Sequence, residues 1–510
     1  MKKQFKNIQA DMSASIVVFL VALPLCLGIA LGSKAPLFSG IIAGMIGGIV
    51  VGLLSGSPLS VSGPAAGLTA IVAASIMKLP SFEVFLLSVV IAGVLQFLLG
   101  QLKAGILGDY VPNSVIKGML AAIGIILILK QIPHLVGYDN DFIGDESFSQ
   151  PDQQNTFSEL SMALSFISPG AILIGLVSLL ILILFESKWI KNIKSLSNIP
   201  GPLVAVVMGV LLSELFQSSN PNLVIKPEHM VNLPVAQNMQ EFFSFFTTPD
   251  FSQLGNKIVW TTALTLAIVA SLETLLSIEA VDKLDPFKRV TPTNRELKAQ
   301  GVGNILSGLI GGLPMTSVIV RSSANVNAGA KSKMSAVYHG LLLAVCVMFV
   351  PGILNKIPLS ALAAILIFTG YKLAKLPLFK EFYDKGWDQF LPFTITILSI
   401  LLTDLLIGIL IGIMVALLFM VFVNFRSNIM VVHDGDNYLV KLRKDVLFIN
   451  KPILKTALEK IPQNSFVLID STNADFIDKD IKDVIQEYKK HAGLKNISVE
   501  IREHEHKKIN

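Results

Sequence analysis

Hydrophobic residues in this chain fall into long runs separated by short polar punctuation. Runs near 13–32, 37–55, 82–101, 113–132, 168–187 and 200–217 form a first series. A second lies near 256–280, 295–312, 335–352, 358–374, 388–404 and 406–424. Each run approaches the roughly 20 apolar residues that a helix needs to cross a bilayer core. Two shorter apolar stretches, 64–78 and 317–329, take third place in their series. The pattern predicts an all-α polytopic membrane protein of about 14 spans, with spans 3 and 10 as half-helices. A seven-span unit repeated once must be inverted in the membrane, so the expected architecture is a 7+7 inverted-repeat transporter.

The two short stretches carry the most chemistry. Leu313-Pro-Met-Thr-Ser-Val-Ile-Val-Arg321 opens on a proline, is rich in hydroxyls and ends on an arginine. Ser57-Pro-Leu-Ser-Val-Ser-Gly-Pro64 introduces the other stretch. Each reads as an extended segment entering a short helix, the second of which is expected to start near Ser317. Non-helical backbone at membrane depth is tolerated only where protein buries it or it lines a cavity. A pair of interruptions, one in each half, points to a transporter binding site.

Helix N-termini present unpaired N–H groups and partial positive charge. Two of them meeting head to head, with Arg321 one turn into the second, favour a small anion over a cation or a sugar. The alternative role for Arg321 is structural, pairing with Glu273 or with backbone carbonyls. Glu273 lies deep in span 8, in Ala270-Ser-Leu-Glu-Thr-Leu-Leu-Ser277. A carboxylate buried there either holds a proton or has a cation partner, and either suits coupled transport. Ser277 follows one turn later on the same helical face.

Composition agrees with this reading. The 510 residues are 52% hydrophobic and 15% charged, with mean hydropathy +0.66, which excludes a soluble globular chain. The net charge of +5 follows topology and implies no nucleic-acid partner. Lys103, Lys117, Lys188, Lys191, Lys194, Lys283, Lys288, Arg289, Arg295, Lys298, Lys331, Lys333, Lys380 and Lys385 fall in or beside connections on one side of the bilayer. Asp139, Asp141, Asp145, Glu146 and Asp152 mark the opposite side in loop 137–166, and loop 218–255 has only Lys226 as a lysine. The positive-inside rule then places both termini in the cytoplasm of an inner (plasma) membrane protein. The apolar run after Asp11 reads as a first span and not as a cleavable signal peptide.

Cys26 and Cys346 have no metal or redox spacing and read as small hydrophobes. Lys130 and Asp404 near span ends read as snorkelling or capping, and His134 and His339 as structural. With no nucleophile–base pair, zinc cluster or phosphate loop, no enzyme activity and no cofactor are expected. Beyond residue 425 the chain turns mixed and charged. Strands are expected at 438–442, 446–449, 465–470 and 497–501 and helices at 452–460 and 479–491, giving a small cytoplasmic α/β domain over 437–510.

Several motifs together resemble the sulfate permease (SulP) family. They are Ala270-Ser-Leu-Glu-Thr-Leu-Leu-Ser277, Asn294-Arg-Glu-Leu-Lys-Ala-Gln-Gly-Val-Gly-Asn304 and Gly311-Gly-Leu-Pro314, continued by Arg321-Ser-Ser-Ala-Asn-Val-Asn-Ala-Gly-Ala330. Val21-Ala-Leu-Pro24, Ile199-Pro-Gly-Pro-Leu203 and Thr403-Asp-Leu-Leu-Ile-Gly-Ile409 fit as well. Val467-Leu-Ile-Asp-Ser-Thr-Asn-Ala-Asp-Phe-Ile-Asp478 resembles the central strand and loop of a STAS domain.

The resemblance implies a transmembrane domain over 1–425, with a core of spans 1–4 and 8–11 and a gate of spans 5–7 and 12–14 that also serves a homodimer. It implies elevator-type carriage of a small inorganic anion, sulfate or bicarbonate first, coupled to protons or sodium. By position, substrate meets backbone N–H groups at Ala65, Ala66, Val318 and Ile319. Leu25 and Ile29 line the same pocket, and a sodium ion would use Glu273, Ser277 and Ser317. Sodium-coupled bicarbonate carriers of the family tend to have hydroxyls where this chain has Ala65 and Ile319, and Asp in place of Glu273. The STAS-like segment Ile477-Asp-Lys-Asp480 lacks the serine that such domains phosphorylate, so no phospho-switch is expected there.

Overall fold

The structure, a computed structural model, describes residues 7–143, 148, 154–187, 190, 192–193, 199–236, 239–426 and 429–502. Asp145, Glu146, Asp152, Lys188, Lys191 and Lys194, used in the topology argument, lie outside those residues, as does the tail from Glu503. The chain divides into two units, Met1–Ile413 and Met414–Asn510.

The helices of the first unit are α1 (Ile8–Gly32), α2 (Leu37–Leu54), α3 (Thr69–Lys78), α4 (Phe82–Gln101), α5 (Asn113–Val136), α6 (Pro169–Glu186) and α7 (Gly201–Ser219). They continue as α8 (Lys257–Leu284), α9 (Thr293–Leu309), α10 (Ile319–Asn327), α11 (Met334–Phe349), α12 (Leu359–Leu373), α13 (Trp387–Leu402) and α14 (Leu405–Arg426), the last running across the division between units. Short peripheral helices such as Thr156–Ala163 are named by range. Among the described residues, eight helices are long and apolar enough to cross a membrane: α1, α2, α4 to α8, and α12 taken together with Leu376–Asp384. Helices over 66–78, 334–349, 387–402 and 405–420 are apolar but shorter. α9 meets neither description, because Glu296, Gln300, Asn304 and Ser307 put a fully buried polar stripe along it.

Local chemistry sets many helix ends. α6 and α7 start with proline in their first turn, where the missing N–H costs nothing. Asn256 caps α8 by accepting the Ile258 N–H at 3.0 Å. Asp404 caps α14 by accepting the Ile407 N–H at 2.9 Å. α5 stops at Gly137, whose φ of +83° is the left-handed conformation that ends helices. α9 packs along α4 and α2, α12 along α5, and α1 along α2, α10 and α11. Lys130 departs from the snorkelling expectation. It is 4% exposed and stands 3.6 Å from Glu159 of the helix Thr156–Ala163, because that helix covers it.

Two three-residue strands interrupt the helical fold: β1 (Ser62–Pro64) and β2 (Met315–Ser317). They pair antiparallel, with Ser62 opposite Ser317 and Pro64 opposite Met315.

The second unit contains a four-stranded mixed sheet in the order β3 (Ile429–Asp434), β4 (Asn437–Val446), β5 (Phe466–Ile477), β6 (Ser498–Arg502). β3 is antiparallel to β4, and the other neighbours are parallel. Helices α15 (Lys451–Glu459) and α16 (Lys479–Ala492) bury Leu454, Ile481 and Ile485 against Val440, Val467 and Ile469. This α/β unit agrees with the STAS-like resemblance. Residues 446–449 are not a separate strand. β4 ends at Val446, and a 3-10 turn follows at Phe448–Asn450, where Asn450 accepts the Leu447 N–H at 3.0 Å. β5 continues past Asp470 to Ile477, because β4 pairs with it as far as Val446 opposite Ile477.

Candidate functional site

Each strand of the β1–β2 pair delivers a helix. Ala65, in extended conformation (φ −115°, ψ 135°), precedes a 3-10 turn at Ala66–Leu68 that leads into α3. Val318, also extended (φ −113°, ψ 120°), caps α10, so the short helix begins at Ile319 and not at Ser317. Neither cap has a side chain bonded to the first-turn N–H groups, which is what a site for an external anion needs. The Val318 N–H itself donates to the Val61 carbonyl at 3.0 Å. The donors at this tip therefore begin with Ile319.

Buried backbone this irregular must have its polar groups paired from outside the strands. The polar stripe of α9 does so. Asn304 accepts the Met315 N–H at 2.7 Å and donates to the Met315 carbonyl at 3.1 Å. Ser307 donates to the Leu313 carbonyl at 2.7 Å. Gln300 donates to Ser62 Oγ at 2.6 Å and to Glu296 Oε1 at 3.1 Å, and Glu296 also accepts from Ser55 Oγ. From α10, Ser322 Oγ accepts the Val61 N–H at 2.9 Å and Asn325 donates to the Leu59 carbonyl at 2.9 Å. Asp11 secures the far end by accepting the Lys331 and Ser332 N–H groups at 2.8 and 2.9 Å.

The predicted site residues separate into groups. Ile29, Ala65 and Val318 pack in one cluster with Leu68, Ala267 and Ala270. Leu25 and Ile319 are buried at 4% exposure each. Ala66, Gly67 and Val318 are partly exposed, so the two tips are the open part of the site. The Glu273 carboxylate lies over the tip of the first helix, since a β-carbon at Gly67 would be 3.2 Å from its Cδ and both oxygens. Ser277 is buried on α8. Ser317 Oγ is 2.6 Å from Ser60 Oγ, and the Ser317 N–H points to Thr274 Oγ1 at 3.4 Å.

Arg321 takes a different position. Its fully buried guanidinium sits behind β1, where a β-carbon at Gly63 would be 2.0 Å from Nη1. Nη2 donates to Cys26 Sγ at 3.3 Å, and Nε and Nη1 have no hydrogen-bond acceptor among the described residues. A full charge is thus held in a dry place beside the strand that carries the first tip, where its field is poorly screened.

A cavity of about 180 Å³ is lined by Ser13 and Val17 of α1, Ala324 and Asn327 of α10, and Thr369 and Lys372 of α12. Sequence reading alone missed Asn304, Gln300 and Glu296. Their spacing of four residues, which puts all three on one face of the helix, was the available signal.

The sulfate permease family profile matches residues 8–396. The putative sulfate transporter YvdB of Bacillus subtilis is 25% identical over 452 residues, covering 86% of this chain and 78% of YvdB. The bicarbonate transporter BicA of Picosynechococcus sp. is 25% identical over 379 residues, covering 72% of this chain and 62% of BicA. The solved transmembrane domain of a cyanobacterium bicarbonate transporter BicA superposes with a TM-score of 0.54 at 23% identity, covering 81% of this chain and 98% of that one. Murine Slc26a9, an anion transporter solved in the inward-facing state, gives 0.64 at 16% identity, covering 96% of this chain and 85% of that one. At such identities the structural likeness establishes the fold. With the profile spanning most of the membrane region, this multi-pass membrane chain belongs to the sulfate permease family.

Proposed function

We propose that this protein is a secondary active transporter of a small inorganic anion, sulfate or bicarbonate. The observation that carries the reading is the β1–β2 crossing. It brings two helix N-termini together, with partly exposed tips at Ala66 and Val318 and without capping side chains. Oriented N–H groups and helix dipoles then bind the anion, and Arg321 adds positive potential from behind β1. Leu25 and Ile29 shape the apolar wall, while the N–H groups of Ala65, Ala66 and Ile319 supply donors.

Glu273 is the coupling residue, with Ser277 one turn later on α8 and Ser317 carried by β2. A proton on Glu273, or a sodium ion held by Glu273, Ser277 and Ser317, would serve as coupling partner, since Ser317 Oγ, 2.6 Å from Ser60 Oγ, keeps a lone pair for a cation. The proposed frame is the 7+7 inverted repeat, with α1–α4 and α8–α11 as a moving core and α5–α7 and α12–α14 as the gate of a homodimer. Both termini and the C-terminal unit lie in the cytoplasm. The 180 Å³ cavity, lined by α1, α10 and α12, would be the inner approach to the site.

Uptake of labelled sulfate and bicarbonate into proteoliposomes, with and without proton or sodium gradients, tests this. Flux no greater than in empty vesicles refutes it. Competition by uracil or xanthine would transfer the site to a nucleobase. If deletion after residue 430 removes only partner binding, the protein is a sensor acting through its C-terminal unit.

A further inference from the structure

His134, Asp139 and His229 take no part in the transport site, yet they form a tight buried cluster. Asp139 follows the end of α5. Its carboxylate is divided between two imidazoles, with Oδ1 accepting from His134 Nδ1 and Oδ2 from His229 Nδ1 at 2.6 Å. The side chains of His134, Asp139 and His229 are 2%, 4% and 14% exposed. Burial pushes the Asp139 carboxyl up, but the hydrogen bonds and charges of both histidines outweigh it and hold it below the usual carboxylate range.

The cluster joins separate segments. His134 closes α5, and His229 ends the 3-10 turn Pro227–His229 between α7 and α8. That connection is fastened beside the start of α12, where the Val231 N–H donates to the Ile357 carbonyl at 3.0 Å. The Leu233 N–H also donates to Asn355 Oδ1 at 2.7 Å.

A few residues past Asp139 the same strand of chain lies on α1. A β-carbon at Gly28 would be 1.8 Å from the Ile143 carbonyl oxygen, and one at Gly32 would be 2.2 Å from the Phe142 ring. These glycines, one turn apart, form a notch that receives the strap Tyr138–Ile143. Between strap and helix lies a cavity of about 260 Å³, lined by Pro24, Leu27, Asp139, Asp141 and Phe142 among others. It adjoins the opposite end of α1 from Ser13 and Val17, which line the inner cavity.

We propose that Asp139 is a positioning residue of the outer gate. The His134–Asp139–His229 latch holds the strap in the notch of α1, and the strap must leave before the α1 face bearing Leu25 and Ile29 can be reached from outside. The inference rests on the alternating-access reading. Each imidazole N–H on the carboxylate adds a buried hydrogen bond that must break before the strap can leave.

Other charged groups stand around the latch. Glu228 is 3.6 Å from His229 Nε2, with Lys226 3.4 Å from Glu228. Asp141 lines the cavity, and Lys130, one turn before His134, stands 3.6 Å from Glu159. The carboxylates here outnumber the lysines.

The test uses full-length protein in right-side-out vesicles, with Leu27→Cys as a reporter in the cavity wall and a membrane-impermeant maleimide outside. The chain without the reporter gives the background. Adding Asp139→Asn is expected to raise the labelling rate roughly tenfold. The reactivity of the thiol itself cancels in the ratio of the two rates. With His134→Gln and His229→Gln together, labelling is as fast as in Asp139→Asn. If Asp139→Asn does not accumulate, His229→Gln alone carries the same expectation. A ratio of one overturns the latch, and labelling only from the cytoplasmic face overturns the topology beneath it. Anion flux measured in the same vesicles separates failure of the transport reading from failure of the latch.

Discussion

Asn304→Ala probes the physical basis of the site most directly. β2 has one neighbouring strand, β1, and Asn304 takes the place of a second. It is 2% exposed, accepts the Met315 N–H at 2.7 Å and donates to the Met315 carbonyl at 3.1 Å. It also donates to Gln96 Oε1 at 2.8 Å. Alanine fits the helix but leaves both Met315 groups without their partner in a buried place. Each unpaired buried polar group costs about 1–3 kcal/mol, so the two backbone groups together cost about 2–6 kcal/mol. At the low end, about 2 kcal/mol, the equilibrium constant between β2 in place and β2 displaced falls about 30-fold. Initial rates of anion uptake in proteoliposomes, normalised to folded protein, should fall by up to that factor, and the melting temperature in detergent should drop. Ser307→Ala, which frees only the Leu313 carbonyl, should cost less. Flux and melting equal to the parent chain in Asn304→Ala would refute the argument that α9 supports the crossing strands.

Glu273→Gln should abolish acceleration of uptake by a proton or sodium gradient while leaving anion counterflow, measured by exchange of labelled substrate. Arg321→Met, which keeps bulk behind β1 but removes the charge, should raise KM by roughly tenfold. Ile319→Ala should change the preference between sulfate and bicarbonate more than it changes affinity. The folded Asp139 carboxyl titrates below its unfolded value of about 3.9. Its stabilisation is therefore present above about pH 4 and lost as pH falls through the folded value. Asp139→Asn should melt lower than the parent chain at pH 7, and the gap should narrow as pH is lowered below about 4, by thermal unfolding in detergent.

Apolar runs and their two interruptions were legible in the chain because hydrophobic length and helix-breaking residues act locally. Pro64, Pro314 and Ser317 cannot sit inside an uninterrupted apolar span without cost, so both extended entries could be located from residue types alone. The same holds for Glu273, a carboxylate in an apolar run, and for the family motifs around it. Span lengths were less legible. α9 carries a buried polar stripe and α10 spans Ile319–Asn327, because neighbouring helices rather than lipid surround them.

Partnership was decided only by the tertiary structure. Nothing local pairs Ser62 with Ser317, assigns Asn304 to the backbone of Met315, or turns Arg321 away from the helix tip to lie against Gly63 and Cys26. His134, Asp139 and His229 likewise carried no spacing signal, since the last two lie 90 positions apart. The physical reason is the same in each case. Hydrophobic burial depends on residue type along a segment, whereas satisfying a buried polar group depends on which distant segment folding brings within about 3 Å of it.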